Sequence, residues 1–150
     1  MHTRVRQRGL TTVAFAIVGV VLVTILFAAI EFGRIIFTMN VLQEAARRGA
    51  RVAAVCRVGD AGVTDAATFI DLRPLDAGHV RVEYLGANGE VLGAPAQDYG
   101  AIHYVRVRIV DVSIPIAIPF INPTFNAPEF SSTLPRESLG IPKTGVPPTC

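Results

Sequence analysis

Few side chains in this sequence are spaced to do bond chemistry. The histidines, His2, His79 and His103, are scattered, and no two stand at a helical ligand spacing. No Cys-x-x-Cys, phosphate-cradling Gly loop or His-Glu-x-x-His occurs. Asp60, Asp65, Asp71 and Asp76 are spread through a loop-like stretch and read as solvated charges rather than as a metal set. Arg136 and Glu137 form at most a local ion pair, worth little when exposed. The expectation is no enzyme, no cofactor and no metal. The net charge of +2, with no basic run among aromatics, argues against nucleic acid. What remains is sulfur: Cys56 and Cys150, able to pair if both face an oxidising compartment.

Where they face depends on residues 10–30, LTTVAFAIVGVVLVTILFAAI, which hold no charge, Pro, Asn or Gln. A helix rises 1.5 Å per residue, so about 20 such residues cross a hydrocarbon core of about 30 Å. A single segment there must be a helix, because lipid satisfies no backbone hydrogen bonds. The competing reading is a buried helix of a soluble core, which rarely runs this long without a charge. Arg4, Arg6 and Arg8 precede the run with no acid among them, placing the N-terminus in the cytoplasm. Arg34, Arg47, Arg48 and Arg51 follow it, but only Arg34 is close, and Glu31 sits beside it. A cleavable secretory signal would be shorter and end in a small-x-small site, whereas this run ends in Ile30-Glu31-Phe32.

The helical pattern continues through residues 31–58, which lack Pro. Residues 10–58 would then form one rod of roughly 70 Å. Ala45, Gly49 and Ala53 recur every fourth residue, flanked by Ala46 and Ala50. Two readings stand: a flat stripe for close packing of another helix, or plain Ala helix propensity. Glu44 and Arg48 have the favourable order for a helical ion pair. Gly59 and Gly62 should end the helix.

Beyond Gly59 a short helical turn is expected at residues 65–70. Val80 to Leu85 alternates with the strand period. Asn88-Gly89 is a tight-turn signal, with residues 90–92 returning as a second strand. A longer strand pattern lies within residues 103–118, closed by Pro115 and Pro119. The long helix is the only large partner for such a sheet. Residues 119–150, rich in Pro, should be an extended tail without elements of its own. The divisions are thus 1–9, a basic leader; 10–30, a transmembrane helix; 31–58, its periplasmic extension; 59–118, a small α/β periplasmic domain; and 119–150, the Pro-rich C-terminal tail. The fold class is α+β. A Cys56–Cys150 bond would tie the tail to the helix; free thiols or a bond between subunits are the alternatives.

Three motifs in order carry a family resemblance. Arg8-Gly9-Leu10-Thr11-Thr12-Val13-Ala14-Phe15-Ala16 resembles the start of TadE-like pilus assembly proteins. Ile30-Glu31-Phe32-Gly33-Arg34 and Ala45-Ala46-Arg47-Arg48-Gly49-Ala50-Arg51 are similar to two further stretches of that family. Thr133-Leu134-Pro135-Arg136-Glu137-Ser138-Leu139 is also similar to some members. The resemblance implies a pilin-like minor pilin or pseudopilin of the Tad (tight adherence, Flp-type) apparatus in the bacterial inner membrane. Its expected partners are the membrane, other Tad pilins or pseudopilins and assembly proteins. It also implies a prepilin peptidase cutting between Gly9 and Leu10. Ala14 departs from the family, which has an acid there that pairs with a neighbouring subunit's amine. Without it the helix is a plainer anchor, so a cut pilin and an uncut anchor both stand. A membrane-anchored extracytoplasmic binding module unrelated to pili is the alternative function.

Overall fold

The computed structural model describes residues 7–69, 75–117, 123–140 and 150. His2, Arg4, Arg6, Ile70, Asp71 and Pro119 lie outside the described residues, as does the Arg8 side chain. Helix α1 runs Gln7–Val55, and the chain forms two compact units, Met1–Phe37 and Thr38–Cys150. In the first, α1 presents its apolar side chains outward: Leu10 is 76 % and Phe15 81 % exposed. This helix is long and apolar enough to cross a membrane, and no part of its most apolar window is buried within the chain.

The second unit is an α+β domain. Strands β1 (Val80–Leu85), β2 (Tyr104–Ile109) and β5 (Phe130–Pro135) form an antiparallel sheet with β2 at its centre. Strands β3 (Ser113–Pro115) and β4 (Thr124–Asn126) pair separately. Across the sheet Val82 faces Val107, and Val107 faces Ser132. One sheet face carries Tyr84, Val105, Val107 and Ile109 into the core. They join Leu42, Ala45, Ala46, Ala50 and Ala53 of α1 and Val63 and Ala67 of helix α2 (Gly62–Ala67).

Several elements differ from the sequence expectation. Helix α1 stops at Val55 rather than Val58, and Gly59 follows with φ +80°. Helix α2 begins at Gly62 rather than Asp65; the Gly62 amide donates to Asp60 Oδ1 at 2.8 Å. The Asn88-Gly89 turn forms, with Gly89 at φ +83° and the Gly86 amide on Glu90 O at 2.9 Å. Its return makes only the Leu85–Val91 bridge, since Gly93 and the donor-less Pro95 follow at once. The long pattern breaks into β2 and β3 around Asp111, held at φ 59°. Residues 119–150 hold β4 and β5, where no element was expected, and β5 supplies the third strand.

Candidate assembly surfaces and the cysteine pair

In the first unit, Gly9 and Leu10 lie in helical backbone and both are exposed. Phe15 and Phe32 point outward, and a Cβ on Gly33 would meet nothing within 4 Å. Glu31 and Arg34 form a two-pronged ion pair, Nη2 to Oε1 at 2.5 Å and Nε to Oε2 at 3.1 Å. Beyond the apolar run the helix therefore carries these two charges as a compensated pair, which lowers the cost of holding them near lipid.

The small-residue stripe lies in the second unit. Ala45, Ala46, Ala50 and Ala53 are fully buried. A Cβ on Gly49 would sit 3.1 Å from Val107 Cγ1 and 3.2 Å from Ala67 Cβ. Small residues here let β2 and α2 approach the helix backbone closely. The stripe is occupied by this chain's own sheet rather than left for another helix. The outward side of the same segment is charged. Arg48 donates to Glu44 Oε1 at 2.9 Å, and its guanidinium lies 3.7 Å over the Phe69 ring. That donation holds the Glu44 carboxyl below the usual carboxylate range. Arg47 and Arg51 are exposed beside them.

The outer sheet face carries a clamp. Arg108 donates to both Glu129 oxygens at 2.6 Å and to Glu83 Oε1 at 2.7 Å. Arg106 Nη1 lies 3.5 Å from Glu83 Oε2 and its Nε donates to Thr133 Oγ1 at 3.2 Å. Hydrogen bonding from Arg108 lowers the Glu129 carboxyl, and the two carboxylates raise the Arg108 guanidinium above its ordinary value. The alternating polar positions of β1 and β2 foreshadow this clamp; Glu129, at the edge of a Pro-flanked segment, does not announce itself.

At the end of α1 a strap, residues 136–140, takes the last carbonyls. The Glu137 and Leu139 amides donate to Ala54 O at 3.0 and 3.4 Å. The Gly140 amide and Ser138 Oγ reach Val55 O at 2.6 and 3.0 Å. These carbonyls lack intrahelical partners, so the strap replaces water as their donor. Leu139 is buried beside them. Arg136 donates to Tyr99 O at 2.5 Å, so its guanidinium serves the fold and not a pair with Glu137. Nearby, the Tyr84 hydroxyl accepts from the Gly59 amide at 3.4 Å, and burial pushes its ionisation up. Cys56 and Cys150 are bonded, with Cα atoms 6.0 Å apart and a sequence separation of 94. They line an open apolar groove of about 380 Å³ with Arg51, Val52, Val55 and Gly62.

Among the described residues no group of His, Cys, Asp or Glu could hold a metal. His103 is exposed, and His79 caps the short 3-10 turn Ala77–His79 with Asp76. The distinctive surfaces are thus an apolar helix, a charged sheet face and the cysteine pair. No curated protein and no solved structure gives a match to this chain. Residues 9–51, covering the exposed apolar helix and most of the small-residue stripe, match the family model described as TadE-like protein.

Proposed function

We propose that this protein is a structural component of a bacterial Tad pilus or secretion apparatus, acting as a minor pilin or pseudopilin through its N-terminal helix. The observation behind this reading is the coincidence of the family match with the exposed apolar stretch. A helix with every apolar side chain outward is stable only in lipid or against other helices. Since the 45–53 stripe is filled from within, partner packing falls to the faces around Phe15, Phe27 and Phe32. The helix sits in the inner membrane with residues 1–9 in the cytoplasm and the domain after Thr38 in the periplasm. The span occupies residues 10–30, and a prepilin peptidase is the partner that would cut between Gly9 and Leu10. No enzyme activity is assigned.

Photo-crosslinkers at Phe15 and Phe27 in the native membrane test this. Adducts to pilins or assembly proteins are expected. Adducts to lipid alone, with no protein partner at either position, would return the protein to an anchored binding module.

A further inference from the structure

The Asn88-Gly89 turn puts a side-chain carboxamide next to an unhindered backbone nitrogen. Residues 87–91 are all exposed, so water reaches both groups. Asn88 donates through its backbone amide to Glu90 Oε2 at 3.1 Å, and among the described residues its carboxamide forms no hydrogen bond. Gly89 has no Cβ to shield its nitrogen, and a Cβ there would meet nothing within 4 Å. A turn bond to Gly86 O at 3.1 Å holds that nitrogen. The return beyond the turn makes only the Leu85–Val91 bridge, so the tip opens at little cost in free energy.

We propose that Asn88 is a self-modification site, deamidated through a succinimide closed by Gly89, and that the product releases Val91-Leu92 from β1. Gly89 N gives its proton to a solvent base and bonds to Asn88 Cγ. The Cγ–Nδ2 bond breaks, and Nδ2 takes a proton from solvent and leaves as ammonia. Water then adds to either ring carbonyl, the bond from that carbon to Gly89 N breaks, and the nitrogen regains a proton. Opening at the main-chain carbonyl gives isoaspartate, and opening at Cγ gives aspartate. A water enters, an ammonia leaves, and nothing is oxidised or reduced. Isoaspartate adds a carbon to the backbone, which draws Gly89 N away from Gly86 O. It also shifts Glu90 O, which accepts from the Gly86 amide at 2.9 Å. The new carboxylate stands close to that of Glu90 and repels it. The next tie to β1, from the Leu92 amide to Tyr84 O at 2.9 Å, then loses its support. The β1–β2 ladder does not pass through this turn and stays closed.

The test incubates the full chain in detergent micelles at mildly alkaline pH and reads the peptide carrying Asn88 by mass spectrometry with electron-transfer fragmentation. Isoaspartate and aspartate are both expected at that position. They should form at least about tenfold faster than deamidation at Asn40 or Asn126, whose next residues, Val41 and Ala127, carry a Cβ. Gly89→Ala should slow the reaction about tenfold, and Asn88→Gln, at an exposed position, should give no isoaspartate on the same timescale. Equal rates at the three asparagines, aspartate without isoaspartate, or an unchanged rate in Gly89→Ala would overturn the proposal. Hydrogen exchange then reads the release. The Leu92 amide should exchange about tenfold faster in the modified chain, while amides paired between β1 and β2 keep their protection. Unchanged exchange at Leu92 would show that the turn is modified without letting go of β1, against the proposal.

Discussion

Gly49 illustrates how one missing side chain decides what a helix face can meet. A helix gains by Gly→Ala or Gly→Leu on propensity alone, by up to about 1 kcal/mol. Here the space for a Cβ is already taken to 3.1 Å by Val107 and 3.2 Å by Ala67. Leu at this position must push β2 and α2 off the helix, and overpacking of this kind costs about 3 kcal/mol. Gly49→Leu should therefore lower the urea midpoint of the domain, while insertion of the N-terminal helix into membrane continues. Unfolding midpoints equal to the wild type would mean the stripe faces a neighbour that can move away. At the same scale, Arg108 sets a pH response. Glu129 and Glu44 both ionise below the ordinary carboxylate range in the folded chain. A depressed folded pKa contributes stability above the ordinary range and loses it as pH falls through the folded value. Stability should accordingly decline on acidification, and Glu129→Gln should flatten that decline. Thermal melts of both proteins between neutral and acid pH check it; parallel curves would discount the clamp. Tyr84, ionising above its ordinary range, works at the other end: its contribution is present below the ordinary tyrosine pKa and is lost as pH rises through the folded value.

Among the elements, the strap is the one with no local signal. Its donors are three backbone amides and one hydroxyl, and their acceptors lie more than eighty positions earlier in the chain. Gly140 makes the arrangement fit. It sits at φ +70°, and a Cβ there would lie 2.9 Å from the Arg57 amide nitrogen. Gly140→Ala should cost about 2 kcal/mol or more, combining left-handed strain of about 1–2 kcal/mol with the backbone clash. Ser138→Ala, which removes one bond to Val55 O, should cost about 1 kcal/mol. Denaturant titration ranks the two, and a larger loss for Ser138→Ala would show that the strap is held otherwise. The contrast with α1, β1 and β2 explains what sequence can reveal. An uncharged run and the small-residue spacing are local patterns, and so is the alternation of Val80 to Leu85 and Tyr104 to Ile109. Strand β5 has a weaker alternation, Phe130, Ser132 and Leu134, because an edge strand needs only one half-buried face and tolerates Pro135 at its end. The stripe's spacing was visible, but its occupant was not: a helix backbone and a sheet impose the same demand for small side chains. The clamp was half legible, since Glu83, Arg106 and Arg108 fall on polar strand positions while Glu129 arrives from a segment without periodicity.

For the whole molecule, the distribution of apolar surface separates two tasks. Leu10, Phe15, Phe27, Phe32 and Phe37 are all more than half exposed, and all precede Thr38. Among the described residues, by contrast, the core cluster starts at Leu42 and closes at Leu139. Residues 38–150 thus hold a helix face, a three-stranded sheet, a strap and a disulfide. A fragment of those residues should be soluble without detergent and unfold in one cooperative transition, as small domains with a single core do. The disulfide contributes through the unfolded chain, where it closes a long loop. The chain-entropy estimate for such a loop is about 4–5 kcal/mol, an upper figure. For a domain of this size that corresponds to a melting shift of roughly 15–20 °C at most. Reduction of the fragment should lower the midpoint by several degrees and leave a single transition at the same helical content. An insoluble or molten fragment would mean that the apolar helix before Thr38 is needed to complete the core. A reduced fragment that melts in two steps would mean that the strap and the sheet unfold separately once the cysteine pair is open.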